Sequence, residues 1–190
     1  MREFERVEVT SASQLRAWLE AHHTQEESVW LVMYKKHTGD TYVSIEDVLD
    51  EILCFGWIDG AARTLDADRS MRLLSPRRTQ HWAKTYKDRV ARLEQEGRMH
   101  PAGLRAIAES KRLGLWHAMD DVDALILPDD LVAALQSRPP APENFDAFAP
   151  SYKRNILRWI TIAKTPHTRT KRLEATAELA AKNEKIPHLS

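Results

Sequence analysis

The strand-like segments of this chain all lie before Pro76, and the segments after it have helical patterns. Residues 29–34 read VWLVMY, a continuous apolar run of strand length, which predicts a buried central strand. Three more segments have strand character, at residues 3–10, 57–65 and 70–74, with a hairpin turn between the last two. We therefore expect an α+β fold, in which a small antiparallel-rich sheet with flanking helices is followed by a C-terminal helical subdomain.

Apolar residues at helical spacing predict two helices among the strands. Ser11 or Ser13 would cap the first helix, and Ser44 with Asp47 would cap the second. After the strands, further helices are predicted at about residues 79–96, 101–113, 128–135, 144–148 and 152–163, with Ser151 as a cap and a last helix from Thr165.

The predicted elements divide the chain into three portions. Residues 1–78 would form the α/β sheet portion, residues 79–138 a helical portion packed on the sheet, and residues 139–190 a C-terminal helical segment. The proline-rich residues 138–142 are the best linker candidate. A chain of 190 residues is of the size of one domain with a full core, so we expect all three portions to form one compact unit.

The composition is that of a globular protein, with 43% apolar and 29% charged residues. No window approaches the ~18 uncharged apolar residues that a membrane helix needs, so no membrane insertion is expected. The first residues carry charges of both signs, unlike a secretory signal. Cys54 is the single cysteine and lies in an apolar run, which favours a buried core residue in a reducing compartment. The expected location is the cytoplasm.

The formal net charge is zero, but the charges are segregated along the chain. Residues 69–92 contain eight bases and a single acid, Asp88, whereas residues 147–173 contain seven bases and no acid. The opposite block consists of five aspartates between residues 120 and 130. We expect such blocks either to form internal ion pairs or to present a positive face to an anion.

Tryptophans and cations gather between residues 54 and 84, where Arg77 and Arg78 precede a predicted helix. Cationic side chains and free main-chain N–H groups at a helix N-terminus together favour an anion. Further cations gather at the start of the last helix. The predicted pocket holds an anionic small molecule or peptide and consists of Trp57, Asp59, Arg77, Trp82 and Lys84, completed by Lys164 and Arg169.

Other interpretations use the same residues. If Arg77 pairs with Asp59 or Asp66, the pocket is a structural joint. An enzyme would use Asp59 as acid or base and the cations as oxyanion clamps. A plain protein-interaction module, with a protein partner, would keep the pocket only for packing. In each case Trp57 and Trp82 should be at least half buried and near each other, since they would seal the junction between sheet and helices.

Several kinds of site are not supported by the sequence. The eight histidines lack the spacing of metal ligands, so no metal site is predicted. Without a phosphate loop, a dinucleotide-binding glycine pattern or a hydrolase elbow, no cofactor is predicted and the catalytic residues are unknown. Cys54, Asp59 and His81 permit a catalytic triad by their order, which is weak evidence. The zero net charge argues against nucleic acid as a partner.

Six motifs occur in order along the chain, at residues 29–36 (VWLVMYKK), 52–60 (ILCFGWIDG), 75–84 (SPRR, then a tryptophan and a lysine), 92–104 (RLEQEGRMHPAGL), 127–135 (LPDDLVAAL) and 159–173 (WITIAKTPHTRTKRL). Through these motifs the sequence resembles the bacteriocin-protection, YdeI/OmpD-associated family. The family's Ser-x-Trp-Ser-Lys-x-Asn pattern is altered to QHWAKTY at residues 80–86. Trp82 and Lys84 are therefore kept, while two small polar positions are lost.

This resemblance implies a role in stress tolerance or envelope protection, similar to proteins linked to tolerance of antimicrobial peptides and bacteriocins. The family has no established catalytic residues, so none is carried over to this chain. Together with the pocket described above, the resemblance predicts a small stress-tolerance protein that works by binding.

Overall fold

A computed structural model describes residues 4–189, so residues 1–3 and 190 of the predicted portions lie outside the described part. The chain divides into two compact units, Met1–His117 and Ala118–Ser190. The first contains β1 (Arg6–Val9), α1 (Ala12–His22), β2 (Val29–Tyr34), α2 (Ile45–Cys54), β3 (Trp57–Thr64), β4 (Arg69–Pro76), α3 (Lys84–Gln95) and α4 (Pro101–Arg112). The second contains α5 (Asp120–Asp123), α6 (Asp129–Gln136), α7 (Ala141–Ala147), α8 (Pro150–Thr161) and α9 (Pro166–Ala181).

The four strands form one sheet in the order β1-β2-β4-β3. Strand β4 pairs antiparallel with both β2 and β3, whereas β1 pairs parallel with β2. The apolar run predicted as a central strand is β2, and its inward residues Val29 and Leu31 are fully buried. The predicted α+β class and antiparallel-rich sheet are therefore confirmed.

The predicted caps of the first two helices are also confirmed. The hydroxyl of Ser11 accepts a hydrogen bond from the N–H of Gln14 at the start of α1. The hydroxyl of Ser44 accepts from the N–H of Asp47 and donates to its carboxylate, which fixes the first turn of α2. These local contacts set the positions at which the helices leave the sheet.

Gly56 joins α2 to β3 and makes close contact with α4. Its φ of 76° lies in the left-handed region that glycine adopts without strain. A Cβ at this position would lie 2.7 Å from the Cβ of Ala106. The N–H of Arg77 donates to the carbonyl of Gly56 at 2.9 Å. The end of β4 is therefore tied to the end of α2 at the place where α4 packs.

The second unit has a helical core of its own, which includes Leu131, Phe145 and Ile156. Tyr152 is buried in it, and its hydroxyl accepts a hydrogen bond from the N–H of Ile186 at 2.6 Å. The last helix, α9, begins next to Thr165 as predicted, and the hydroxyl of Thr165 caps it by accepting from the N–H of Thr168. No helix of the described residues is long and apolar enough to cross a membrane.

The unit boundary, at residues 117 and 118, differs from the predicted boundaries at residues 78 and 138. Helices α3 and α4 bury Val90, Leu93 and Ile107 in the same core as the sheet, so the first unit extends past them. The proline-rich residues 138–142 lie within the second unit, where α7 begins. Helix α8 begins at Pro150, a proline of the first turn, so Ser151 lies inside the helix and does not cap it.

Candidate functional site

Arg77 directly follows β4, and only 8% of the residue is exposed. The guanidinium carbon lies 3.8 Å from the ring centroid of Trp82 and 5.5 Å from that of Tyr86. Its Nη1 donates to the carbonyl oxygens of Gln80 and His81, at 3.4 and 3.3 Å. We use the name Arg77 centre for five residues, Arg77, Trp82, Tyr86, Asp59 and Arg72. Asp59 belongs to it through hydrogen bonds from Tyr86 and Arg72.

These contacts explain why α3 begins at Lys84, five residues later than predicted from the sequence. Residues 79–83 are not helical, and the carbonyls of Gln80 and His81 accept hydrogen bonds from Arg77. Trp82 is 1% exposed, and its main-chain N–H donates to the carbonyl of Leu115 at 3.4 Å. Tertiary packing thus overrides the local helical pattern. Arg77 therefore does not lie at the start of a helix.

Several buried nitrogen atoms near this centre have no hydrogen-bond partner. In the described part of the chain, the unpartnered buried side-chain atoms are Nε and Nη2 of Arg77, Nε of Arg72, and Nε1 of Trp57 and Trp82. All of them are N–H donors, and two belong to one buried cation. Buried donors of this kind normally have a partner, because leaving them unsatisfied costs about 1–3 kcal/mol each. The centre is therefore short of acceptor atoms.

Asp59 does not supply these acceptors, because both of its oxygens are occupied. Oδ2 accepts from Nη1 of Arg72 and Oδ1 accepts from the hydroxyl of Tyr86, each at 2.6 Å. The pair between Arg77 and Asp59, which was one structural alternative from the sequence, does not form. Asp59 as an acid or base of an enzyme stays a prediction. Burial raises the pKa of Cys54, so this fully buried thiol is a poor nucleophile.

Burial also determines the protonation of Arg77 and Tyr86. It lowers the pKa of Arg77 to about 10, against the opposing effects of Tyr86 and Asp59, so the guanidinium is still charged at neutral pH. Burial and the hydrogen bond to Asp59 raise the pKa of Tyr86 to about 12. Tyr86 therefore remains a hydrogen-bond donor, and Arg77 remains a cation in an apolar and aromatic setting.

The two tryptophans of the predicted pocket are fully buried, as expected. Trp57 is 0% and Trp82 is 1% exposed, and both belong to the core of the first unit. Trp57 and Asp59 are two residues apart on β3, so their side chains lie on the same face of the sheet. Trp57 packs edge-on against Trp18 of α1, at 5.7 Å between ring centroids.

Of the other predicted cations, Lys84 and Lys164 are exposed and Arg169 is partly buried. Lys84 is the first residue of α3, and its Nζ lies 2.5 Å from the carboxylate of Asp88. Lys164 and Arg169 belong to the second unit. Arg169 there makes a two-pronged pair with Asp130, at 2.6 and 2.9 Å. The participation of Lys84, Lys164 and Arg169 in a ligand site stays a prediction.

The acidic block does pair with basic residues of the second unit. Besides the pair of Asp130 with Arg169, the carboxylate of Asp123 lies 3.9 Å from Nε of Arg154. The charge segregation in the sequence is therefore partly resolved inside this unit. The basic residues 69–92 pair instead with acids of the first unit, such as Asp50 and Asp59.

The sequence interpretation missed a cluster built on two buried acids of α2. The carboxylates of Asp50 and Glu51 are 9% and 7% exposed. They are bound by four arginines, Arg16, Arg89, Arg92 and Arg98. Burial alone would raise the pKa of Asp50, but hydrogen bonds from Arg92 and Arg89 outweigh it and lower the pKa. Since both carboxylates are fully engaged, this cluster is structural. The sequence signal that could have indicated this cluster is the pair of acids beside the apolar stripe of α2.

A pocket of about 440 Å³ lies beside the residues that flank Arg77 in the chain. Its lining includes Pro76 and Arg78 on either side of Arg77, and Gln80, whose carbonyl Arg77 binds. The hydroxyls of Ser28 and Ser75, 2.7 Å apart, also belong to the wall. Arg77 itself does not line this polar pocket, whose wall also contains Glu26 and Glu27.

Two family models match the chain in separate places. Residues 7–106 match the model described as Domain of unknown function (DUF8412). Residues 124–183 match the model described as Bacteriocin-protection, YdeI or OmpD-Associated, which confirms the family predicted from the sequence for this part of the chain. The sequence motifs between residues 29 and 104 fall within the first match. No curated protein and no solved structure matches this chain.

Proposed function

Because this chain belongs to the family described as Domain of unknown function (DUF8412) and carries a bacteriocin-protection, YdeI or OmpD-associated domain, we propose that it is a binding protein of stress or bacteriocin tolerance. Its ligand in this proposal is a small molecule or peptide that presents a carboxylate to Arg77. The proposed location is the cytoplasm, where Cys54 would remain a free thiol.

The unpartnered edge of Arg77 is the observation that supports this proposal. Nε and Nη2 lie side by side on the guanidinium and form the fork that binds a carboxylate through two parallel hydrogen bonds. They are the two nitrogens of Arg77 without a partner, since Nη1 is used by main-chain carbonyls. A carboxylate is the acceptor whose shape fits this edge.

Charge supports the same ligand. A buried cation without a counterion is destabilising, and contact with aromatic rings offsets this only in part, by about 2 kcal/mol. Asp59 already balances Arg72, and Tyr86 is protonated, so the centre keeps the uncompensated charge of Arg77. A ligand with one carboxylate would supply both the missing charge and two acceptor atoms.

Access to Arg77 would come through the polar pocket whose wall contains Pro76, Arg78 and Gln80. The long bonds from Arg77 to the carbonyls of Gln80 and His81, at 3.4 and 3.3 Å, are weak. A modest movement of this segment would bring a carboxylate from the pocket to the free edge of the guanidinium.

Isothermal titration calorimetry with acetate, succinate, a short acidic peptide and inorganic phosphate tests the proposal. We expect saturable binding of a carboxylate ligand that Arg77→Lys weakens by ~1.5–3 kcal/mol, because lysine keeps the charge but lacks the fork. Arg112→Lys is the matched control, since it makes the same change at an exposed residue that does not line the pocket. Flat titrations with every ligand, or equal loss in both variants, would identify Arg77 as a packing joint.

A further inference from the structure

A small apolar pocket lies between α6 and α7 of the second unit, with a volume of about 150 Å³. Its walls include Leu127, Val132, Leu135 and Phe145, and Asp146 lies at its rim. Leu135 and Phe145 are buried in the core, which makes the floor rigid, whereas Asp146 is exposed. The pocket thus combines an apolar interior with a carboxylate at the edge.

The size of the pocket fits one side chain. A pocket of about 150 Å³ lined largely by leucine, valine and phenylalanine is large enough for a benzene-sized group. Such a site suits a leucine or phenylalanine side chain from a partner, since moving that side chain out of water is favourable.

The carboxylates of α7 favour a positively charged partner. Asp146 lies in the wall of the pocket, and Glu143 is on the same helix. Asp130 and Asp123 are paired with arginines of α9 and α8. In the described part of the chain, neither Glu143 nor Asp146 on α7 forms an ion pair through its carboxylate. Lys153 lies close, but it donates to the main-chain carbonyl of Asp146.

From this combination we propose that the groove between α6 and α7 binds a cationic peptide segment, with one leucine or phenylalanine side chain in the pocket and flanking lysines or arginines at Asp146 and Glu143. Electrostatic complementarity to the acidic helices gives the segment its preference, and the apolar side chain fixes its position. This site is separate from the Arg77 centre and does not depend on the function proposed for it.

Methyl NMR of the full chain during titration with a short peptide, one leucine flanked by lysines, tests this inference. We expect saturable shifts of the Leu127, Val132 and Leu135 methyls. Asp146→Lys should weaken binding about tenfold, and Val132→Phe, which fills the pocket, should abolish it. The Leu127 and Leu135 methyl signals of the free variants report whether each is folded.

Two controls separate this site from general attraction of positive charge. Asp121→Lys makes the same charge change at an exposed residue that does not line the pocket, and it should leave the affinity nearly unchanged. A peptide with glutamates in place of the lysines should not bind. The inference is overturned if no methyl of the pocket shifts, if Asp121→Lys weakens binding as much as Asp146→Lys, or if both peptides bind equally.

Discussion

Gly103 of α4 lies directly against the end of α2, so that a Cβ at Gly103 would be 2.2 Å from the carbonyl oxygen of Cys54. That oxygen also accepts a hydrogen bond from the N–H of His100, at 3.0 Å. Two motifs that are distant in the sequence, at residues 52–60 and 92–104, therefore meet through main-chain atoms. Such an approach is open only to a residue without a side chain.

Gly103→Ala should lower the free energy of unfolding by about 2 kcal/mol or more. Alanine favours a helix interior over glycine by about 1 kcal/mol, but here the methyl group would overlap a main-chain oxygen that cannot move freely. Urea unfolding followed by circular dichroism measures the change. Gly60→Ala is the control, because the nearest atom to a Cβ there is 3.6 Å away. An unchanged midpoint in Gly103→Ala would show that the two helices are less tightly packed.

Asp50→Asn should be among the most destabilising changes in the first unit, at about 3–5 kcal/mol. It would remove the buried negative charge that faces Arg89, Arg92 and Arg98 and leave three guanidinium groups without their common partner. The comparison is Asp88→Asn, whose carboxylate pairs with Lys84 at the surface and should contribute at most about 1 kcal/mol. Similar denaturation midpoints for the two variants would contradict this assignment of the cluster.

His100 should make the stability fall as the pH is lowered below about 6.5. Burial, together with the positive charges of His23, Arg105 and Arg16, lowers the pKa of His100, and Glu20 opposes them. Its Nδ1 also accepts a hydrogen bond from the N–H of Ala102, a contact that only the neutral ring can make.

The unfolded chain therefore binds a proton at His100 more readily than the folded protein does. The stabilising effect is complete above the unfolded pKa of about 6.5 and is lost as the pH falls through the lowered pKa of the folded protein. His100→Asn keeps an acceptor at the helix start but cannot titrate. The stability of this variant should therefore change less than that of the unchanged protein as the pH is lowered from about 7. Thermal unfolding at a series of pH values measures this. His167→Asn is the control, and an equal flattening in both variants would contradict the role of His100.

Much of the fold could be predicted from local patterns, because they determine local structure. The run at residues 29–34 is β2, Ser11 and Ser44 cap helices as predicted, and the last helix begins next to Thr165 as predicted. The parallel pairing of β1 with β2 could not be predicted, since a strand pattern does not specify its neighbour. The late start of α3 could not be predicted from the sequence either, because it depends on contacts of Trp82 with distant residues.

The candidate site shows the same limit. The grouping of tryptophans and charged residues in one segment of the sequence identified Asp59, Arg77 and Trp82, and the structure does bring these three into one centre. It did not identify Arg72 as the partner of Asp59, because that pair depends on the register of β3 with β4 and on the irregularity between Asp59 and Ala62. The four-arginine cluster around Asp50 was missed for a related reason, since its members come from three separate segments.

The free edge of Arg77 can be observed directly by NMR, through the Nε–H signal of this residue. The signal is assigned by its loss in Arg77→Lys and followed as acetate or a short acidic peptide is added. A carboxylate bound at Nε and Nη2 should shift this proton strongly downfield, with saturation, while the signal of the exposed Arg112 stays in place. An Arg77 signal that does not move up to high carboxylate concentrations would contradict the account, and would leave Arg77 as a buried cation held by Trp82, Tyr86 and the carbonyls of Gln80 and His81.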